Sequence, residues 1–180
     1  RQRQMCIRDR LTGGRLTVEA NLAWSRFART VLGTNDIDFR ARATSAEEDA
    51  FLASQVAGAT VEESVTYADL QKAGKVVLVD LEPEDECPMI FLRLRKAWRK
   101  MKLPVLTVGS HLSRGSRKLG ATLVPTAPGD EAASLVRLAE QGTIDEDTVI
   151  LVGERAATAP GALATVIDLC RTRCLLYTSD

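Results

Sequence analysis

The chain predicts an α/β fold with a largely parallel, Rossmann-like sheet flanked by helices and preceded by a helical segment. Three apolar runs, 75–81, 104–109 and 148–153, carry no polar alternation, as expected of strands covered on both faces. Stretches with helical spacing of apolar residues separate them, the alternation that gives parallel sheets. The first 70 or so residues contain helix-like patterns only.

The elements follow in order. Residues 15–33 read as a helix with Thr17 as N-cap and Gly33 just past its end. Val18, Leu22, Trp24, Phe27, Ala28 and Val31 fall on one side of it at helical spacing. A polar loop, Gly33-Thr34-Asn35-Asp36-Ile37-Asp38, leads on through Arg40 and Arg42. The next helix opens with Ser45 and Glu48 at capping-box spacing and stops at Gly58. A short helix over 65–74 leads into the strand Lys75 to Leu81, which ends in an acidic loop. A helix follows Pro88, with Ile90, Leu94, Ala97, Trp98 and Met101 along one stripe. Pro104 to Gly109 forms a second strand, and Ser113 to Gly120 a turn with a short helix. Thr122 to Thr126 is a weak third strand interrupted by Pro125, and residues 129–142 are helical. Thr148 to Gly153 is a further strand, and residues 160–173 form a last helix with Pro160 and Gly161 in its opening turn.

Composition narrows the function. With 180 residues and 45% hydrophobic content the chain suits one domain or one compact piece of a larger protein. Charges balance to zero, which gives no field for binding nucleic acid, and no apolar run approaches the length for membrane insertion. Cys6, Cys87, Cys170 and Cys174 form no CxxC pair and no zinc-like spacing; Cys170 and Cys174 are one helical turn apart. Both ends, residues 1–10 and 174–180, share no pattern with the rest and resemble translated sequencing-adapter sequence. They are expected to be non-native tails, which leaves Cys6 and Cys174 without functional meaning and residues 11–173 as the domain: a helical prelude over 11–72 and an α/β part over 73–173.

Ligands of open α/β sheets bind beyond the carboxyl ends of the strands. Three such ends are readable: Asp80 to Pro83, Val108 to His111, and Val152 to Arg155. None carries GxGxxG or a P-loop. The first holds Glu82, Glu84, Asp85 and Glu86, which repel a phosphate; the simpler reading is a solvated acidic loop favoured by a helix N-terminus. His111, the sole histidine, could act as a base, but spacing gives it no nucleophile partner. Cys87 before Pro88 reads as a half-buried thiol rather than a reactive one. Arg93, Arg95, Lys96, Arg99, Lys100 and Lys102 give one helix a basic face, read as its solvated side or as a subunit contact.

The order of motifs resembles that of the molybdopterin oxidoreductase family. Gly33, Thr34, Asn35, Ile37, Asp38 and Arg42 match that family's GTNN-(I/V)-D-x-x-x-R segment, with Asp36 in place of the second asparagine. Residues 76–88 are similar to its ILLIGxNPxExHP segment, and Pro125 to Leu135 to its PGTDAAL segment. The likeness covers roughly residues 15–140 and is strongest to the branch built into respiratory complex I, where the domain is a relic of a molybdoenzyme ancestor.

This resemblance implies several things. In a working molybdoenzyme the first strand end offers a glycine and an asparagine to the dinucleotide; here those positions are Asp80 and Glu82. The aspartate that suits a guanosine at the second strand end is replaced by Gly109, and the threonine of PGTD by Asp130, with Glu131 keeping the acid after it. Four degenerate positions imply that no cofactor is bound by this chain, because a buried charge lacks compensation and polar ligand groups go unpaired. Iron–sulfur clusters would lie in the rest of the parent subunit, since the cysteine runs that hold them are missing here. The implied partners are other subunits of complex I, on the cytoplasmic side of the inner membrane, in a complex moving electrons from NADH to quinone. In that setting the polar loop is structural: Asn35 and Asp38 would bond backbone amides, and Arg42 would pair with a carboxylate. The alternative is a fragment of a molybdopterin-dependent enzyme of the formate dehydrogenase or nitrate reductase type. That enzyme needs a metal-ligating residue upstream and the glycine–asparagine strand end.

Overall fold

A computed structural model describes residues 10–11, 16–38, 45–57, 65–172 and 175–178. The chain forms two compact units, residues 1–43 with Asp180, and residues 44–179.

In the first unit, the two-residue strands β1 (Arg10–Leu11) and β2 (Ile37–Asp38) pair in parallel. Between them runs α1 (Val18–Phe27), which continues as a π-helical turn, Ala28–Leu32. Thr17 caps the start, its hydroxyl accepting from the Ala20 N–H at 3.2 Å. Gly33, at φ 64°, supplies the left-handed cap at the end. The expected apolar stripe forms but is not covered: Ala28 is buried, whereas Val18, Leu22, Phe27 and Val31 are exposed. Trp24 meets Phe27 edge to face, ring centroids 5.7 Å apart. In the polar loop, Asn35 accepts from the Arg29 guanidinium at 2.8 Å rather than from a backbone amide. The Thr34 hydroxyl accepts the Asp36 N–H at 3.1 Å, a local side-chain turn. Arg42 lies outside the described residues.

The second unit holds α2 (Ala46–Phe51) with a π-helical extension Leu52–Val56, α3 (Tyr67–Lys72), β3 (Lys75–Val79), α4 (Pro83–Glu86) and α5 (Pro88–Met101). Then come β4 (Val105–Gly109), α6 (Arg114–Lys118), β5 (Thr122–Pro125), α7 (Glu131–Glu140) and β6 (Thr148–Val152). A 3-10 turn Glu154–Thr158, α8 (Ala162–Thr172) and β7 (Leu175–Thr178) complete it. The strands form one parallel sheet in the order β5-β4-β3-β6-β7, with Val76 level with both Val105 and Val149. The α/β fold with a parallel, helix-flanked sheet is therefore as the sequence predicts. Within the segment set apart as a tail, β7 pairs with β6, Leu175 opposite Val149. Gly58, the expected stop of the second helix, lies outside the described residues.

Alternation along β3 divides the core. Val76 and Leu78 face one layer with Leu70, Ile90, Phe91 and Leu94, while Val77 and Val79 face the other with Phe51, Leu135, Leu163 and Val166. Helices α3 and α5 thus cover one face, and α2, α7 and α8 the other. Each fully buried leucine contributes about 1.5–3 kcal/mol relative to exposure. Two details differ from the sequence reading. Phe91 is buried and Met101 exposed, so the inner stripe of α5 runs through Ile90, Phe91, Leu94 and Ala97. Pro160 and Gly161 form the turn before α8, not its opening turn, because Gly161 has φ 77°. That helix start is instead capped from a distance: the Glu47 carboxylate of α2 accepts from the N–H groups of Gly161 at 2.8 Å and Ala164 at 2.9 Å.

Candidate functional site

The chain leaves β3 toward β4 and β5, then returns to place β6 on the other side of β3. Connections diverge there, so a crevice opens beyond the carboxyl ends of the strands. It has a volume of about 380 Å³, and its walls include Asp80, Gly109, Ser110, His111, Glu131 and Arg155. The sequence-derived positions Asp80 and Gly109 are brought together here; an ideal Cβ on Gly109 would stand 3.3 Å from Asp80 Oδ1.

Asp80 has φ 49°, the left-handed region. The family's glycine at this place fits that backbone without strain, and aspartate is among the few side chains that tolerate it. The loop it starts is tightly seated: a Cβ on Gly153 would come within 2.4 Å of the Asp80 carbonyl oxygen. That same oxygen accepts a hydrogen bond from Arg155 Nε at 3.2 Å. The Asp80 carboxyl meets that of Glu131, which is 3% exposed at the start of α7 and accepts the Gly129 N–H at 2.7 Å. Burial, then the neighbouring Glu131 charge, pushes Asp80 up to about 6, against the opposing pull of Arg155. The Asp80 carboxyl therefore holds its proton into the weakly acidic range.

Of the other acids at the first strand end, Glu82, Glu84 and Glu86 do not form a solvated loop, which corrects the sequence reading; Asp85 alone of these acids is exposed. The three glutamates tie three elements together. Glu82 Oε1 accepts from the N–H groups of Glu84 and Gly115, both at 3.1 Å, capping α4 and joining it to α6. A Cβ at Gly115 would lie 2.1 Å from that oxygen, so a side chain there would displace the Glu82 carboxylate. Glu84 pairs with Arg114 at 3.1 Å and with Lys118 at 2.8 Å, and these cations hold its carboxyl below the usual range. Glu86 accepts from the N–H groups of Glu82 at 2.7 Å and Glu154 at 3.1 Å. So the negative charge facing the crevice comes from Asp80 and Glu131, not from Glu82. Asp130 is exposed at the N-cap position of α7, makes no capping bond, and is not part of the crevice wall.

His111 and Ser110 line the crevice, with Ser110 Oγ 3.0 Å from His111 Nδ1. Sequence spacing had assigned the histidine no such neighbour. Both are exposed, and among the described residues no third side chain orients the ring, so the arrangement of an activated nucleophile is missing. Cys87 and Cys170 are half-buried thiols packed against the two cores; Cys6 and Cys174 lie outside the described residues. Sequence reading names Glu131 as the retained family acid and Arg155 at the third strand end, but not their meeting with Asp80; each lies two residues after a glycine.

A diphosphate in this crevice would face the Asp80–Glu131 pair where a nucleotide site needs donors. The neutral amide expected at the Glu82 position is replaced by a carboxylate already committed to α4 and α6. The residues present do not fit the dinucleotide end of a molybdopterin cofactor.

Fold and crevice define a doubly wound α/β protein with a switch-point crevice whose wall carries the acids Asp80 and Glu131. The profile of the molybdopterin oxidoreductase family matches residues 5–166, and the chain belongs to that family. Among its relatives, the G subunit of NADH-quinone oxidoreductase from Mycobacterium tuberculosis is 49% identical over 166 residues, covering 90% of this chain and 20% of the relative. The protein of the same name from Mycobacterium bovis gives the same values. That of Streptomyces coelicolor is 49% identical, covering 87% of this chain and 22% of the relative. The chain thus spans about a fifth of the length of the relatives it matches.

Proposed function

We propose that this chain is a non-catalytic domain of the large iron–sulfur (G) subunit of an NADH–quinone oxidoreductase, binding no molybdopterin and serving to build the peripheral arm of the complex. The observation that carries the reading is the Asp80–Glu131 carboxyl pair in the crevice, in a chain about half identical to proteins of that name. Electrons from NADH would pass along iron–sulfur clusters held elsewhere in the parent polypeptide. Among the described residues no cluster of histidine, cysteine and acidic side chains could hold a metal. No described helix is long and apolar enough to cross a membrane; the domain would sit peripherally on the cytoplasmic side, among other complex I subunits. The test is to tag the full-length gene product in its host and resolve solubilised membranes by native electrophoresis. Comigration with NADH–quinone oxidoreductase activity is expected. Recovery as an independent molybdenum-dependent formate or nitrate enzyme contradicts the reading.

A further inference from the structure

The outer face of α5 gathers cations with no acid on the same helix. Several cations elsewhere meet oxygens: Arg114 and Lys118 reach Glu84, Lys75 reaches Asp145, and Arg155 reaches the Asp80 carbonyl. Helix α5 contains no acid, and two of its cations, with Lys102 at its C-cap, lie over aromatic rings instead. Arg93 lies over Tyr67 at 5.7 Å, Arg95 over Phe91 at 5.9 Å, and Lys102 over Trp98 at 5.4 Å. Lys96, Arg99 and Lys100 are exposed, and no carboxylate among the described residues reaches them. The helix dipole favours cations in the last turn only, which accounts for Arg99 and Lys100 but not for Arg93 or Lys96. Met89, 50% exposed, and Leu92, 56% exposed, share that outward face at helical spacing with Lys96, Arg99 and Lys100.

We infer that this face of α5 docks an acidic surface of a neighbouring protein subunit, its carboxylates meeting Lys96, Arg99 and Lys100 and an apolar contact covering Met89 and Leu92. The inference rests on the reading of the chain as part of a multisubunit complex. Two observations favour protein over nucleic acid. Exposed Met89 and Leu92 interrupt the track a phosphate backbone would need, and the helix's Phe91 and Trp98 are engaged by its own cations rather than presented for base stacking. A chain of zero formal net charge also lacks the broad positive field of a polyanion binder.

The experiment treats the intact complex, in native membranes, with a carbodiimide that joins amines directly to carboxylates, and maps the products by peptide mass spectrometry. Lys96 or Lys100 should be linked to an aspartate or glutamate of another subunit. In the full-length Lys96→Glu/Lys100→Glu variant that link should be lost, and the salt concentration that releases the subunit should fall about twofold. If the subunit comigrates with the complex but both lysines remain open to amine acylation, or link only within their own polypeptide, the docking inference fails and the assembly reading stands. Protection removed by nuclease, or by extraction of anionic lipid, also overturns it. Failure to comigrate at all overturns both.

Discussion

Asp80 concentrates the residue-scale argument. Its carboxyl is raised from an ordinary 3.8 to about 6 in the fold, so the native state binds its proton more tightly than the unfolded chain does. Stability from this group is therefore fully present below about pH 4 and is lost as pH rises through about 6. Allowing for solvent screening of a half-exposed group, the loss is on the order of 1 kcal/mol. Asp80→Asn keeps a side chain that tolerates the left-handed backbone and removes the repulsion from Glu131. It should raise stability near pH 8 by about 1 kcal/mol and change little near pH 4. Urea unfolding across that range checks this, and an unchanged pH profile would mean that Asp80 does not hold its proton in the fold. Glu47 offers a second residue-scale prediction. Glu47→Ala removes acceptors from the Gly161 and Ala164 N–H groups and should cost about 1–2 kcal/mol, whereas Glu47→Gln, which keeps an acceptor, should cost less. Neither role was legible in the sequence, because both depend on contacts between residues more than fifty positions apart.

At the scale of elements, the sequence is most explicit where burial is complete. The runs at β3, β4 and β6 lack polar alternation because helices cover both sheet faces, and each strand falls where the pattern places it. Short polar elements were less visible. Helix α4 hides inside Glu82 to Glu86, where the charges suggest a solvated loop; only the fold brings Gly115, Arg114 and Lys118 to meet them. Helix α1 shows the opposite limit: its apolar face lies where the spacing places it, yet Val18, Leu22, Phe27 and Val31 are exposed. Helical spacing identifies an apolar face but says nothing of whether the same chain supplies its cover. Two substitutions probe the sheet and its layers. Leu94→Ala, at a fully buried position between α5 and the sheet, should cost about 2–5 kcal/mol in chemical unfolding. Gly153→Ala drives a methyl into the Asp80 backbone, which no rotamer change relieves, and should cost about 3 kcal/mol. Near-neutral behaviour of Gly153→Ala would contradict the tight seating of the β3 and β6 ends.

At the scale of the whole molecule, the family was legible from an ordered series of motifs, and the profile over residues 5–166 bears it out. The crevice was legible only in part. Asp80 and Gly109 meet in it as strand-end reasoning expects, but the acid that opposes a phosphate beside Asp80 is Glu131, while Glu82 turns away to cap α4. Strand-end position can be read from sequence; side-chain direction after a left-handed residue cannot. In the proposed reading, scaffold and ligand set have separated: the doubly wound sheet and its switch-point crevice are kept, with the Asp80 and Glu131 carboxyls where a nucleotide would need donors. Metal content tests this most directly. The full-length protein, purified from its own host grown with molybdate, should contain iron at the level of several clusters per polypeptide and no molybdenum or pterin by elemental and fluorescence assay. Stoichiometric molybdenum bound to the purified protein would contradict the account.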